Sequence, residues 1–391
     1  MEDPRVQAAF AEIEAMEQTN IDRLIAYTET PAPPFEESVR AQLLAKDLKS
    51  GGLSDVRIDE VGNVLARRPG RTGVRTVAVV AHIDTVFPAE TDVTVRKEGN
   101  VYHAPGIGDN TRGLIAMLSL AEVMESQGLT TEDDILFVGS VGEEGLGDLR
   151  GVRHLFREGG PRIDSFIAID GGSVNRLITA GVGSNRYRVT FNGPGGHSYG
   201  AFGSAHPHQA LADAITRFTA AGREITQTGL KSTFSVGRIG GGTSINSIPF
   251  SSWMEVDMRS ADTVKLDRLD AALRKALQEA LDAENAQRST NDALTLEITS
   301  VGKRPAGRNS ENSSLFGFVS AAMREQGLVP NVMASSTDAN IPLSLGIPAI
   351  TMSRGGISRN AHAPNESWEN TDAHIAVQTL LLTLLAEANR E

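Results

Sequence analysis

Apolar and polar positions form two kinds of pattern along the chain. In the first kind, short and almost wholly apolar runs occupy residues 76–82, 134–141 and 165–170. Such runs are typical of strands that are buried on both faces of a sheet. Helical patterns precede and separate them, at residues 6–29, 36–50 and 111–127. Buried strands that alternate with helices predict an α/β fold, with a mostly parallel sheet flanked by helices.

The second kind of pattern begins near residue 185, where strands start to alternate apolar and polar positions. Such alternation is typical of antiparallel strands with one exposed face. The order strand, helix, strand, strand, helix, strand predicts an α+β sandwich inserted into the first domain. We place the insert at 184–303, so that 1–183 and 304–391 form the α/β domain. Its strands are predicted at 186–192, 233–239, 252–259 and 295–301, and its helices at 208–221 and 264–285.

Composition and charge narrow the possible functions. A length of 391 residues is long for one hydrophobic core, which agrees with two domains. The net charge of −12 argues against nucleic acid or an anionic membrane as a partner. The chain has no cysteine, which excludes disulfides, thiolate zinc sites and a cysteine nucleophile. It also lacks a secretory apolar segment at its start and any run near the ~18 apolar residues of a membrane helix, so we expect a cytoplasmic protein.

Polar side chains follow each of the predicted buried strands. His82 and Asp84 come at the end of the first strand, Glu143 and Glu144 follow the second, and Asp170 ends the third. Because the carboxyl ends of parallel strands meet at one edge of a sheet, we expect these side chains to lie close together. Taken alone, each fragment also has a plainer interpretation, as a polar strand end or a solvated acidic loop.

Two further candidates lie in loops. Asp109 stands in a glycine-rich turn, and glycines permit the tight backbone path that directs one carboxylate inward. Such an aspartate equally suits a helix N-cap. His362 lies in a late loop and, seen alone, would be interpreted as an ordinary loop histidine. Together, the candidates supply two imidazoles and several carboxylates, the ligand set that a pair of zinc-like ions needs.

The order of these motifs and the residues in them resemble those of the M20 metallopeptidases, the family of glutamate carboxypeptidase, tripeptidase T and the aminoacylases. The resemblance extends from about residue 30 to residue 368. It implies a zinc-peptidase-like catalytic domain with an inserted dimerisation or lid domain. The motifs that carry it are Ala81-His82-Ile83-Asp84-Thr85, Gly106-Ile107-Gly108-Asp109-Asn110, Gly142-Glu143-Glu144-Gly145, Ile169-Asp170-Gly171 and Ala361-His362.

The resemblance implies a role for each of these polar residues. Two divalent ions are expected, most often Zn²⁺, with Co²⁺ or Mn²⁺ as alternatives. Asp109 would bridge the two ions, Glu143 would be the general base, and Asp84 would orient His82. The family often has Asp-Asp where this chain has Asp109-Asn110, but the second position serves backbone geometry, so the site is retained. The implied metal ligands are His82, Asp109, Glu144, Asp170 and His362.

The resemblance also assigns residues outside the metal cluster. His197, in Gly193-Pro194-Gly195-Gly196-His197-Ser198, matches a histidine that stabilises the oxyanion in the partner chain's site, so we expect a homodimer. Asn246 and Arg259 would hold the substrate's carboxylate or carbonyl, since a guanidinium offers two parallel N–H donors. Gly356 could present its backbone N–H to the substrate. Asp338 would provide structural support.

Three functions of different classes remain open at this point. The first is a two-metal peptidase that cleaves small peptides with metal-activated water and Glu143 as the base. The second is a deacylase that applies the same chemistry to N-acyl amino acids. Asp170 tilts the choice weakly towards peptides, because that position is a glutamate in several deacylases. The third is a non-catalytic binding protein on the same fold, which would predict losses among the site residues.

Overall fold

The computed structural model describes residues 3–310 and 313–390. The chain divides into two compact units, one comprising Met1–Gly181 with Arg308–Glu391 and the other comprising Val182–Gly307. No helix in the described residues combines the length and the apolarity that a membrane span requires.

The strands of the first unit are β1 (Ser54–Ile58), β2 (Val64–Arg68), β3 (Thr76–His82), β4 (Arg96–Glu98), β5 (Val101–His103), β6 (Asp134–Ser140), β7 (Ser165–Ile169), β8 (Arg176–Gly181), β16 (Asn331–Ser335), β17 (Ala349–Met352), β18 (Ile357–Arg359) and β19 (Ser367–Glu369), and the two-residue strand β15 (Gly307–Arg308) falls at the boundary between the units in the sequence. The mixed sheet of this unit has the strand order β1-β2-β6-β3-β7-β17-β8-β15, with β16 beside β8. A smaller sheet has the order β18-β19-β5-β4.

Helices cover both faces of the mixed sheet. In β3, Val77, Val79 and Ala81 pack into one apolar cluster, whereas Ala78 and Val80 pack into another on the opposite face. Both faces are therefore buried, as the continuous apolar run predicts. The helices of this unit are α1 (Pro4–Ala15), α2 (Glu17–Thr28), α3 (Ser38–Ser50), α4 (Gly113–Ser126), α5 (Arg150–Leu155), α8 (Ser314–Glu325), α9 (Asn340–Ser344) and α10 (Ala373–Ala388).

The centre of the mixed sheet is parallel, which aligns the ends of four strands. β3 pairs in parallel with both β6 and β7, and β7 pairs in parallel with β17. His82 is in register with Ser140, the last residue of β6. The carboxyl ends of β6, β3, β7 and β17 therefore lie side by side along one edge of the sheet.

The second unit confirms the predicted α+β order. Its antiparallel sheet has the order β11-β13-β9-β14, and α6 and α7 pack together and against that sheet. Along β9 the buried residues Tyr187, Val189 and Phe191 alternate with less buried ones, as the sequence pattern predicts. The elements are β9 (Gly183–Asn192), β10 (Gly196–His197), α6 (Pro207–Thr226), β11 (Ser232–Gly241), β12 (Ser247–Ile248), β13 (Ser251–Ser260), α7 (Thr263–Gln287) and β14 (Thr295–Arg304).

Two helices differ from the sequence predictions. The expected helix at 6–29 is two helices, α1 and α2, that meet at Met16. The expected helix at 111–127 begins only at Gly113, because Asp109 and Asn110 have non-helical backbone angles within the preceding turn, Ile107–Arg112. This turn, hereafter the Asp109 turn, directs its side chains differently from a regular helix.

Candidate metal centre

The polar residues predicted at strand ends meet at the edge where the four parallel strands end. His82 is the last residue of β3, Glu143 and Glu144 follow β6, and Asp170 follows β7. Three groups of potential metal ligands have donor atoms within 4.8 Å of one another. They are His82 with Asp109 and Asp170, Asp109 with Glu144 and His362, and His82 with Glu143 and Glu144.

Asp109 belongs to two of these groups and directs a different oxygen atom towards each imidazole. Its Oδ1 lies 3.4 Å from Nε2 of His82, and its Oδ2 lies 3.3 Å from Nε2 of His362. A carboxylate that presents one oxygen to each of two neighbouring sites is the arrangement that a bridging ligand requires.

The His82 ring is oriented by the backbone that follows it. Its Nδ1–H donates a hydrogen bond to the main-chain carbonyl of Asp84 at 2.9 Å. That contact leaves Nε2 as the ligating atom, and this buried Nε2 has no hydrogen-bond partner among the described residues. A metal-bound histidine usually donates its second ring N–H to a carbonyl or carboxylate in this way.

The Asp84 carboxylate contacts the backbone of the loop that follows β6, and its expected role in orienting His82 stays a prediction. It lies 3.8 Å from Nδ1 of His82, and it is the main-chain carbonyl of Asp84 that accepts the ring N–H. The carboxylate accepts the backbone N–H groups of Glu143 at 3.0 Å and Glu144 at 2.8 Å. Asp84 therefore holds the Glu143–Glu144 backbone in place next to the end of β3.

The Asp109 turn is held by a buried carboxylate that sequence reasoning gave no role. Glu366 accepts the backbone N–H groups of Gly106, Gly108 and Asp109 at 2.8–2.9 Å. Burial raises the pKa of Glu366 to about 6, although these N–H bonds oppose the shift. No periodicity or composition signal in the sequence connects position 366 with position 109, because only the fold brings them together.

Arg354 is the most important residue that sequence reasoning missed. It follows β17 and its Nη1 donates to Asp109 Oδ1 at 2.9 Å and to Asp170 Oδ1 at 3.2 Å. Only 4% of the residue is exposed. The apolar run at 349–352, followed directly by Ser353 and Arg354, was a signal that could have placed this arginine at the same sheet edge.

The charges of the cluster shift the pKa values of its members. Burial opposes protonation of His82, but Asp109, Asp170 and Asp84 raise its pKa well above the usual value. Hydrogen bonds that His362 donates to Asp109 and Glu144 raise the pKa of its imidazole to about 10. Burial and the nearby Asp109 raise the pKa of Asp170. Protons on the two imidazoles thus balance the carboxylates, and metal ions that bind here must displace those protons.

The residues present fit two divalent ions. Imidazole nitrogens and carboxylate oxygens, which are ligand types that zinc binds, lie close together, and Asp109 belongs to two of the groups. Nε2 of His82 has no hydrogen-bond partner among the described residues and lies 3.4 Å from Asp109. His82, Asp109 and Asp170 would hold one ion, and Asp109, Glu144 and His362 the other. The His362 side chain is 51% exposed, so the second group is open to solvent.

Gly356 is explained by packing in this structure. It is buried and has a φ of 72°, which favours glycine. A Cβ atom at this position would meet the indole nitrogen of Trp368, whose N–H donates to the carbonyl of Gly355 at 2.9 Å. Its suggested contact with substrate remains a prediction.

The remaining predicted residues lie in the second unit. His197 is exposed, and its Nδ1 accepts the backbone N–H groups of Tyr199 and Gly200, which leaves Nε2 as a hydrogen-bond donor. Asn246 lies beside it, because the Asn246 carbonyl accepts the N–H of Ser198 at 2.9 Å. Arg259 lies on β13, where its Nε donates to Asp257 at 2.7 Å.

The fold and the ligand cluster together define a hydrolase of the α/β class with candidate sites for metal ions. Residues 78–386 match the model of peptidase family M20/M25/M40, and the chain belongs to that family. The resemblance seen in the sequence and the predicted fold class are both confirmed.

Similar proteins include hydrolases that are named for different substrates. The chain is 27% identical over 364 residues to a [LysW]-lysine hydrolase of Deinococcus radiodurans, and the match covers 91% of this chain and 94% of that protein. It is 23% identical over 330 residues to a succinyl-diaminopimelate desuccinylase of Corynebacterium glutamicum, with 83% and 85% covered. A tripeptidase structure from Staphylococcus aureus has a TM-score of 0.76 at 20% identity, covers 95% and 99% of the two chains, and supports the fold alone.

Proposed function

We propose that this protein is a two-metal hydrolase that cleaves amide bonds of small peptides. The observation that carries the proposal is the position of Asp109, whose two oxygens face His82 and His362 from the middle of two ligand groups. Two ions bound there, most simply Zn²⁺, would polarise the amide carbonyl and make a water acidic enough to attack it near neutral pH.

The protein's own residues would bind the substrate and move the protons. Glu143 would take a proton from the attacking water and deliver it to the leaving amine, which is the task of a general base and acid. Nε2 of His197 from a partner chain, held as a donor by the loop that follows it, would stabilise the oxyanion. Arg259 and Asn246 would hold the carboxylate or a carbonyl of the substrate, and the backbone N–H of Gly356 would be presented to the substrate.

Metal content tests the two-site arrangement directly. The purified protein should take up about two equivalents of Zn²⁺, Co²⁺ or Mn²⁺, as measured by mass spectrometry of the native protein and by elemental analysis. Asp170→Asn removes a ligand of one ion only and should leave about one equivalent. Asp109→Asn removes the shared ligand and should weaken both. If Asp109→Asn still binds one ion at full affinity, Asp109 is not the bridge.

A substrate panel tests the reaction. The metal-loaded protein should hydrolyse dipeptides or tripeptides with free termini, and mass spectrometry should identify the released amino acids. The same protein with Glu143→Ala is the control for contaminating peptidases. A loaded protein that cleaves nothing in the panel above the rate of this control would contradict the proposal.

A second candidate function is the removal of an acyl group from an amino acid or diamino acid. The two similar proteins named as a [LysW]-lysine hydrolase and a succinyl-diaminopimelate desuccinylase favour it. N-succinyl and N-acetyl amino acids therefore belong in the same panel. Faster cleavage of these compounds than of peptides would replace the first proposal by the second.

A further inference from the structure

Arg112 is buried, and in the described part of the chain no carboxylate pairs with its guanidinium and no acceptor receives its Nη1–H groups. Arg112 is 4% exposed, and its Nη1 has no hydrogen-bond partner among the described residues. Burial alone lowers the pKa of its guanidinium to about 10, because no carboxylate in the described part of the chain opposes the shift. An unpaired buried charge is expensive, so proteins normally supply a partner.

Arg40 shows how the same fold treats another buried arginine. Arg40 is equally enclosed, but its guanidinium donates to the carbonyls of Thr30 and Ile83 at 2.5–2.9 Å. No carbonyl among residues 3–310 and 313–390 accepts a hydrogen bond from Nη1 of Arg112. Its guanidinium lies 5.4 Å from the ring of Trp368, which offers the face of an aromatic ring and no acceptor atom.

A small cavity lies beside the Arg112 side chain. It has a volume of about 20 Å³ and is bordered by α2, the Asp109 turn, β19 and the start of α10. A cavity of this size holds one species about as large as a water molecule. It has no room for a group with several heavy atoms, such as the carboxylate of a substrate.

The amino-terminal end of α10 is a second feature of this cavity that favours an anion. Ala373 and His374, the first two residues of this 16-residue helix, line the cavity. The N–H groups in the first turn of a helix have no carbonyl partner within the helix. The side chain of the preceding Asp372 does not cap them. Helix amino-terminal ends attract negative charge through these N–H groups and the helix dipole.

Asn20 provides a further donor at the cavity wall. Its Oδ1 accepts the hydroxyl of Ser119 at 2.9 Å, so its amide N–H groups are the ones left to interact. The carboxylate that borders the cavity, Glu17, is exposed and accepts the amide N–H of Asn370 at 2.8 Å. The lining therefore combines a buried cation and N–H donors with one carboxylate, which is engaged elsewhere.

We propose that this cavity binds a single small monovalent anion of the size of chloride, held between the Arg112 guanidinium, the amide of Asn20 and the amino-terminal end of α10. A water molecule would fill the same space but would leave the charge of Arg112 without a counterion. Because Arg112 is the last residue of the Asp109 turn, the anion would stabilise the segment that carries the shared metal ligand.

Halide binding can be tested on the complete protein in two ways. Crystals grown in sodium bromide should show an anomalous peak next to the Arg112 guanidinium and the Ala373 N–H. In solution, the Tm should be about 2–4 °C higher in sodium chloride than in sodium gluconate at equal ionic strength, because gluconate is too large for the cavity. Arg112→Gln should abolish this difference between the two salts.

Two other variants make the result specific. Arg23 lies on α2, the helix that carries Asn20, but it pairs with Glu122 and does not line the cavity. The variant Arg23→Gln should therefore keep the full chloride response. Asn20→Leu removes one donor and fills space at the cavity wall, and should reduce the response even if Arg112→Gln does not fold. Both variants leave every candidate metal ligand and Glu143 unchanged.

Three outcomes would overturn the proposal. The first is an equal Tm of the unsubstituted protein in the two salts. The second is a crystal structure in which Glu17 turns inward and pairs with Arg112. The third is a bromide peak in the cavity without any stability response, which would mark an adventitious ion only.

Discussion

At the scale of single residues, Arg354 supplies positive charge to the carboxylates of the ligand cluster. Its guanidinium lies between Asp109 and Asp170, and these two carboxylates raise the pKa of Arg354 against the opposing effect of burial. The same carboxylates are the candidate ligands that two metal ions would neutralise. Arg354 and the ions therefore supply positive charge to the same groups.

We predict that Arg354→Gln destabilises the metal-free protein more than the metal-loaded protein. Removing one partner from a buried ion pair costs about 3–5 kcal/mol, because the remaining charges are left unpaired. Bound zinc would restore the balance and reduce this loss. Urea unfolding in excess chelator and in excess zinc measures both values of the free energy of unfolding.

Arg359→Gln is the matched control for this prediction. Arg359 lies five residues further along the same segment and forms an ion pair with Glu369 in which the arginine is half exposed. Loss of an exposed pair costs at most about 1 kcal/mol, and zinc should not change that value. Equal losses for Arg354→Gln with and without zinc would show that the guanidinium has no connection to the metal cluster.

At the scale of elements, the loop after β6 carries two adjacent glutamates for which we propose different roles. Glu144 has extended backbone angles, and neighbouring side chains in an extended segment point in different directions. Glu144 contacts Nε2 of His362 at 2.8 Å, and both glutamates have donor atoms within 4.8 Å of His82. The Asp84 carboxylate fixes both residues through their backbone N–H groups.

We predict opposite effects for the two alanine variants of this loop. Glu143→Ala should lower kcat by about 10²–10⁴-fold and leave about two metal equivalents bound, because its task is proton transfer. Glu144→Ala should lose metal, because it removes a ligand of the group with Asp109 and His362. Each variant is the control for the other, since both remove a buried carboxylate from the same loop. Metal loss in Glu143→Ala with metal retained in Glu144→Ala would reverse the two assignments.

At the scale of the whole molecule, we propose that the second unit serves the metal site of a partner chain in a homodimer. His197 carries this proposal, because the family pattern places the corresponding histidine at the partner's site. Within its own unit, the His197 loop is held by pairing of β10 with β12 and by two backbone N–H bonds to Nδ1. The ring is exposed, as a residue that acts on another chain must be.

Subunit exchange tests this shared site. His197→Ala and Glu143→Ala should each be nearly inactive alone. After exchange, a mixed dimer would collect both substitutions in one site and leave the other site intact, so activity should partly return. Two Glu143→Ala preparations exchanged in the same way are the control and should stay inactive. No recovery despite proven exchange, or a fully active monomer by light scattering, would contradict the proposal.

The class of fold and the members of the candidate metal cluster could be predicted from the sequence pattern alone. The buried strands could be recognised because a strand covered on both faces must be apolar at consecutive positions, as 76–82 and 134–141 are. His82, Glu143, Glu144 and Asp170 could be predicted to meet because parallel strands end at one edge. The motif order then gave the family, which the match over residues 78–386 confirms.

The contacts that hold these residues and balance their charges could not be predicted from the sequence, because they form between distant segments. Arg354, Glu366 and the backbone contacts of Asp84 join positions as far as 260 residues apart in the sequence, and no local periodicity encodes such contacts. The same holds for Arg112, because an arginine in a sequence normally indicates an exposed cation, whereas its burial depends on α2, β19 and α10 closing around it. Local pattern fixes which face of an element is apolar, but the partner of a buried charge is fixed only when distant elements pack together.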